Sequence, residues 1–192
     1  MSKSELIKFS GWAFIAGSFA FITILSNSDP LAIPGSVISS ILLAVGMSGL
    51  RARYGEKVGR LGRNTLLLGM IAPVLLIIAI ASLALVTIAQ IEEGFWILIF
   101  VGPAISLLGL TLFGLTALRS KSMPRLNWLP AFAGIWYPVV YFFLAGYLFT
   151  HHGKFPQEYY PVIQIVFLIQ FLALCAFGAV LVADTSQELA TA

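Results

Sequence analysis

Six long apolar runs, separated by short polar segments, organise this chain. They fall at 7–26, 31–50, 65–90, 95–118, 131–150 and 160–183. A helix needs roughly 20 mainly apolar residues to cross about 30 Å of hydrocarbon, and each run meets that length. The runs are continuously apolar, not alternating as the strands of a membrane barrel would be. The pattern therefore predicts an all-α integral membrane protein, one polytopic domain over 1–192, with six transmembrane helices arranged as three hairpins. The start of the chain has the charged head and apolar run of a signal peptide, with Ser26-Asn27-Ser28 as a small-x-small triplet. Its apolar run is long enough to span, so it reads as the first transmembrane helix.

The connectors set the orientation. Asn27-Ser28-Asp29-Pro30 and Glu92-Glu93-Gly94 are short acidic turns, whereas 51–64 and 119–130 are longer, basic and studded with Gly or Pro. Ten of the eleven Lys and Arg residues lie at the N-terminus or in the even-numbered gaps: Lys3, Lys8, Arg51, Arg53, Lys57, Arg60, Arg63, Arg119, Lys121 and Arg125. Only Lys154 lies in a gap of the other parity. Basic residues near span ends resist translocation, so both termini are expected on the cytoplasmic side of a multi-pass cell-membrane protein. Trp12 and Trp128 then fall near the inner interface, and Trp96, Tyr147, Tyr159 and Tyr160 near the outer one.

Composition sharpens this. The 192 residues are 59% hydrophobic and 10% charged, against about 25% charged in soluble domains. A water-soluble chain of this size could not hide so much apolar surface in one core. The net charge of +3 would suit a nucleic-acid partner, but the charges sit in inter-helix segments, where topology and anionic headgroups account for them. The partners expected are the lipid bilayer and other membrane subunits, and no nucleic acid. The single cysteine, Cys175, allows no intrachain disulfide and no multi-cysteine metal site.

A two-helix repeat is also suggested. Gly69-Met-Ile-Ala-Pro73-Val74 resembles Gly134-Ile-Trp-Tyr-Pro138-Val139 at an offset of 65 residues, and the same offset carries Gly49 onto Gly114. An offset of 64 carries Phe113-Gly114 onto Phe177-Gly178, and Gly11 would stand opposite Gly134. A two-helix unit preserves orientation, so such repeats would be parallel. Gly and Pro are frequent in membrane helices, and chance alignment is the competing explanation.

Chemistry is scarce. Ionisable groups deep in a span usually mark pumps, carriers or catalysts. Here Asp29, Glu92, Glu93, Glu158 and Asp184 all fall at span ends or in loops. His151 and His152 are the only histidines, and adjacent positions on a helix point about 100° apart, so they do not readily clamp one metal. They read either as ligands to a pigment or cofactor or as a polar cap on the fifth helix. Pro34, Pro73, Pro103 and Pro138 each lie inside a run and favour a kink, as a hinge, a polar cavity or a static bend. Tyr137, Tyr141, Gln164, Gln170, Ser106 and Thr111 would line a crevice or glue helices together. Arg51, Arg53, Lys57, Arg60 and Arg63 form the densest charge cluster, suited to lipid headgroups or to docking a cytoplasmic partner. Their glycine-rich segment lacks the Gly-Lys-Ser/Thr end of a P-loop.

The segment Phe113-Gly-Leu-Thr-Ala-Leu-Arg119-Ser-Lys-Ser-Met-Pro124-Arg125, leading into Trp128, holds a basic Leu-Arg-x-Lys-x-x-Pro-Arg loop. It resembles a loop of uncharacterised bacterial multi-span membrane proteins. That resemblance implies a bacterial inner-membrane protein and no particular activity. The three-hairpin plan is similar to that of mitochondrial carriers, but their Pro-x-acid-x-x-base signature is absent. The expectation is a non-catalytic accessory or scaffold subunit without a cofactor. The alternatives are a facilitator for a small neutral or lipid-like solute, and a pigment or cofactor carrier through His151 or His152. Topology is checked by reporter fusions. Alkaline phosphatase at the C-terminus will be inactive and a fluorescent protein there bright, while phosphatase inserted at 92–94 will be active.

Overall fold

The computed structural model describes residues 3–25, 29–86, 95–123, 127–150 and 160–190. Within them the chain is helical, with six helices and no strand. They are α1 (Lys3–Leu25), α2 (Asp29–Tyr54), α3 (Gly59–Val86), α4 (Phe95–Ser120), α5 (Leu129–Thr150) and α6 (Tyr160–Ala190). Four contain stretches long and apolar enough to cross a membrane: Pro34–Tyr54, Gly59–Ile78, Val101–Ser120 and Pro161–Asp184. Leu129–Phe143 is a shorter apolar helix.

The first basic connector is mostly helix. Arg51 and Arg53 stand in the last turn of α2, Arg60 and Arg63 in the opening turns of α3, and only 55–58 remain as a turn. Helical hydrogen bonding continues past the apolar limit because these groups stand where water and headgroups solvate the charges. The turn is tied by Gly55 N–H to Arg51 O (3.0 Å) and Val58 N–H to Tyr54 O (3.0 Å), and Gly59 leaves it at φ +71°. That left-handed conformation costs an L side chain but not glycine. Arg51 and Arg53 complement the C-terminal end of the α2 dipole, whereas Arg60 stands where the α3 dipole disfavours a cation. Helix energetics do not explain Arg60. After α4, Lys121 takes the left-handed conformation (φ 47°), and Ser122 N–H reaches back to Ala117 O (3.3 Å), closing the helix end.

Sequence neighbours pack against one another from α1 to α6, α6 packs on α1, and α2 meets α4. The helices form a closed antiparallel ring. Close approaches fix the directions: Gly11 of α1 meets Gly178 and Val182 of α6, and Gly17 meets Leu42 of α2. Gly102 of α4 meets Leu76 of α3, and Gly134 of α5 meets Leu107 and Thr111 of α4. Lys8, Arg51, Arg53, Lys57, Arg60, Arg63, Arg119 and Lys121 consequently gather at one end of the bundle. Trp12 and Trp128 point outward near that end, as interfacial rings do.

Both faces of these helices are apolar. The core joins Phe14, Leu43, Met47, Leu66, Leu107, Phe113, Tyr137, Leu174 and Phe177, with the Phe14 and Phe177 rings 5.1 Å apart. Outward lie Phe19, Ile71, Val74, Ile77, Val139, Phe142, Phe143, Ile165 and Leu172, more than a third of each exposed. A helix apolar all round belongs in a core or a membrane, and this outer surface exceeds the patches that soluble monomers tolerate.

Glycine sets how closely the ring closes. A methyl placed on Gly11 would lie 2.7 Å from the Gly178 carbonyl oxygen, a main-chain atom that cannot swing aside. Gly178→Val will lower unfolding stability in detergent by about 2 kcal/mol or more. Gly146→Ala, whose methyl meets nothing within 4 Å, will change it by no more than about 0.5 kcal/mol. Chemical unfolding followed by circular dichroism reads both.

Candidate functional site

A proline inside a helix leaves the carbonyl four residues earlier without its main-chain donor. In hydrocarbon no water takes that place, so the protein must supply a donor or keep a cavity open. Pro73 of α3 and Pro138 of α5 are both buried, and each bend meets a polar side chain from the following helix.

At Pro73 the carbonyl deprived of its partner belongs to Gly69. Ser106 of α4, fully buried, donates its hydroxyl to Gly69 O at 3.3 Å. Gly109 lets α4 approach, since a methyl there would lie 2.7 Å from Thr65 O and 2.8 Å from Gly69 N.

At Pro138 the carbonyl deprived of its partner belongs to Gly134, and Gln170 of α6, also fully buried, bonds the main-chain groups on either side of it. Its Oε1 accepts from Tyr137 N–H (3.1 Å) and its Nε2 donates to Ala133 O. A regular α-helix would pair those two main-chain groups with each other. The carboxamide is itself an amide, with one acceptor and a donor in a fixed plane, so it fits between them as a peptide group would. The backbone also fixes which way the amide faces, because the N–H can only donate and the carbonyl can only accept. The Tyr137 ring lies against Phe167 at 5.5 Å and stacks on Tyr141 at 6.3 Å and 11°, holding α5 and α6 together beside the clamp.

The remaining polar candidates divide. Thr111 donates to Leu107 O of its own helix at 2.8 Å, and Gln164 is exposed. Pro103 is buried and Pro34 exposed near the start of α2. Most other buried hydroxyls bond their own helix: Ser10 to Leu6 O, Ser18 to Ile15 O, Ser39 to Ser36 O and Thr65 to Gly62 O, at 2.6–3.0 Å. His151 and His152 lie outside the described residues. Among the described residues no three His, Cys, Asp or Glu side chains gather as a metal site would require. Arg51, Arg53, Lys57, Arg60 and Arg63 come together on the α2–α3 turn, with the Arg53 guanidinium 5.2 Å from the Tyr54 ring centre.

Two features escaped sequence reasoning. Ser36, Ser39 and Ser40 form a buried seam on α2, detectable only as small polar residues at helical spacing. Ser18 Oγ lies 3.0 Å from Cys175 Sγ, a contact between helices 157 positions apart that no local pattern announces. Ser40 Oγ and Trp136 Nε1 are buried without a hydrogen-bond partner among the described residues.

Comparison of the chain with protein-family models, with characterised proteins and with solved structures finds no match.

The clamp has a direct test. Gln170→Leu removes both bonds and will cost about 1–2 kcal/mol of stability in detergent. Gln170→Met, of similar length and without either polar group, will cost about the same. Parental stability of both variants would show that the two bonds contribute nothing.

Proposed function

We propose that this chain is a non-catalytic integral membrane protein, an accessory or scaffold subunit within a larger membrane assembly. In this reading it crosses the bilayer six times, with both termini on the cytoplasmic side. It consists of three parallel two-helix units. The observation carrying the proposal is that polar side chains beside the two prolines are spent inside the bundle. Ser106 and Gln170 are bonded to Gly69 O, Ala133 O and Tyr137 N–H, so neither side chain is left to line a solute path. A facilitator through these kinks would have to break those bonds. A cofactor carrier would depend on His151 and His152.

The repeat draws support from the same pair of bends. Gly69 and Pro73 map onto Gly134 and Pro138 at an offset of 65, and Ser106 maps onto Gln170 at 64. A polar side chain from a corresponding place on the next helix thus lies beside each proline, although Ser106 bonds the carbonyl four residues before Pro73 and Gln170 the one five residues before Pro138. Gly11, Gly69 and Gly134 also meet the even-numbered helix of the preceding unit, at Gly178, Met47 and Leu107 respectively. The basic end supports the topology, because charges spread over three segments of the sequence converge on one side.

A partner is expected to dock on the α2–α3 turn, where Arg51, Arg53, Lys57, Arg60 and Arg63 concentrate positive charge. Cross-linking in native membranes, followed by mild solubilisation, will recover a stoichiometric partner. The double variant Arg60→Glu/Arg63→Glu will lose it while unfolding at the parental midpoint. Recovery of the chain alone would overturn the scaffold reading. So would a liposome solute flux that Pro138→Ala changes by an order of magnitude.

A further inference from the structure

At the basic end, α3 and α4 leave an open groove of about 430 Å³ on the outer surface of the ring, lined by Leu61 and Thr65 of α3 and by Leu112, Leu115, Thr116, Leu118 and Arg119 of α4. Small residues make it. A methyl on Gly62 would lie 2.6 Å from Thr116 Oγ1, so the helices touch behind a floor of two threonines, while exposed Leu61, Leu115 and Leu118 form the lips. The floor is apolar despite its hydroxyls, because Thr65 donates to Gly62 O (2.8 Å) and Thr116 to Phe113 O (2.7 Å), which leaves their methyl groups for the groove.

One charged group lines this trench. Arg119 is exposed in the last turn of α4, one helical turn beyond Leu115 and Thr116. Arg60 and Arg63 flank Leu61 on the other helix and are also exposed. Both walls belong to stretches apolar enough to cross a membrane, Gly59–Ile78 and Val101–Ser120. The groove therefore lies at the basic end of these two stretches, opens toward their apolar part at Thr65 and Leu112, and ends at a guanidinium. An acyl chain is chemically matched to the trench. A phosphate is matched to Arg119, whose planar fork binds two phosphate oxygens at once. Charge complementarity at the mouth favours a headgroup of net negative charge over a zwitterionic one.

We propose that the α3–α4 groove binds one anionic glycerophospholipid, with an acyl chain along Leu61, Leu112 and Leu115 and the headgroup phosphate on Arg119. The proposal rests on the membrane reading of the bundle and is independent of any subunit role.

The test uses the full chain, purified in nonionic detergent. It is titrated with phosphatidylglycerol or with phosphatidylcholine of the same acyl chains, and bound lipids are counted by native mass spectrometry. One phosphatidylglycerol per chain will be retained, with phosphatidylcholine at least about tenfold weaker. Arg119→Gln will weaken the first phosphatidylglycerol by about tenfold, the scale of one charge-assisted contact. Lys8→Gln, exposed on α1 and outside the groove, will leave it unchanged. Leu115→Trp, which fills the trench from an exposed lip, will remove tight retention, and Leu118→Trp on the same helix serves as a second filler. Equal retention of the two lipids would overturn the proposal, and so would a Lys8→Gln effect matching that of Arg119→Gln. Unchanged retention in both tryptophan variants would overturn it too, and partner binding enters none of these readouts.

Discussion

Inside a bilayer a main-chain amide has no water to fall back on, and the architecture of this protein follows from that constraint. A straight helix satisfies itself, but Pro73 and Pro138 each break the ladder within a buried segment. Beside each proline a side chain from the next helix bonds the main chain: a hydroxyl at Gly69 O, the carbonyl that Pro73 releases, and a carboxamide at Ala133 O and Tyr137 N–H, next to Gly134 and Pro138. Satisfaction and packing are thus coupled. Ser106 reaches Gly69 only because Gly109 brings the two backbones together. Gln170 reaches α5 with Tyr137 and Phe167 packed alongside.

The second consequence concerns what holds the ring. Lipid tails are as apolar as the helix surfaces, so association draws on close packing and interhelical hydrogen bonds rather than on the hydrophobic effect. This explains why glycine and serine, not leucine, stand at the tightest crossings. Gly11 against Gly178 and Gly134 against Leu107 are approaches that any side chain would prevent. Larger residues take the spaces between crossings, with Phe14 against Phe177 on one side and Phe113 in the middle of the core. The outer surface stays apolar throughout.

Helical class was legible from the length of the apolar runs, and the convergence of basic residues from the parity of the gaps. The ends of α2 and α3 were not, because Arg51–Tyr54 and Gly59–Asn64 are polar enough to resemble loop while still forming helix outside the apolar zone. Glycine and proline positions could be read, and with them the carbonyls released at Gly69 and Gly134, but not which side chain of a neighbouring helix would stand beside each. Gln170 and Ser106 had the composition of packing residues. Their role depends on register between helices, which no local pattern encodes. Contacts such as Ser18 with Cys175 join distant parts of the chain and become visible only once the ring is closed.

That closure bears on biogenesis. Helices emerge in order during synthesis, and α1 must wait for α6 before its Gly11 face finds Gly178. This face, notched by Gly11 and carrying Ser18, is the one that meets Gly178 and Cys175, while Ser10 and Gly17 face α2. Because the first and last helices lie side by side, the ring could also be opened at another connector and rejoined there without altering a crossing.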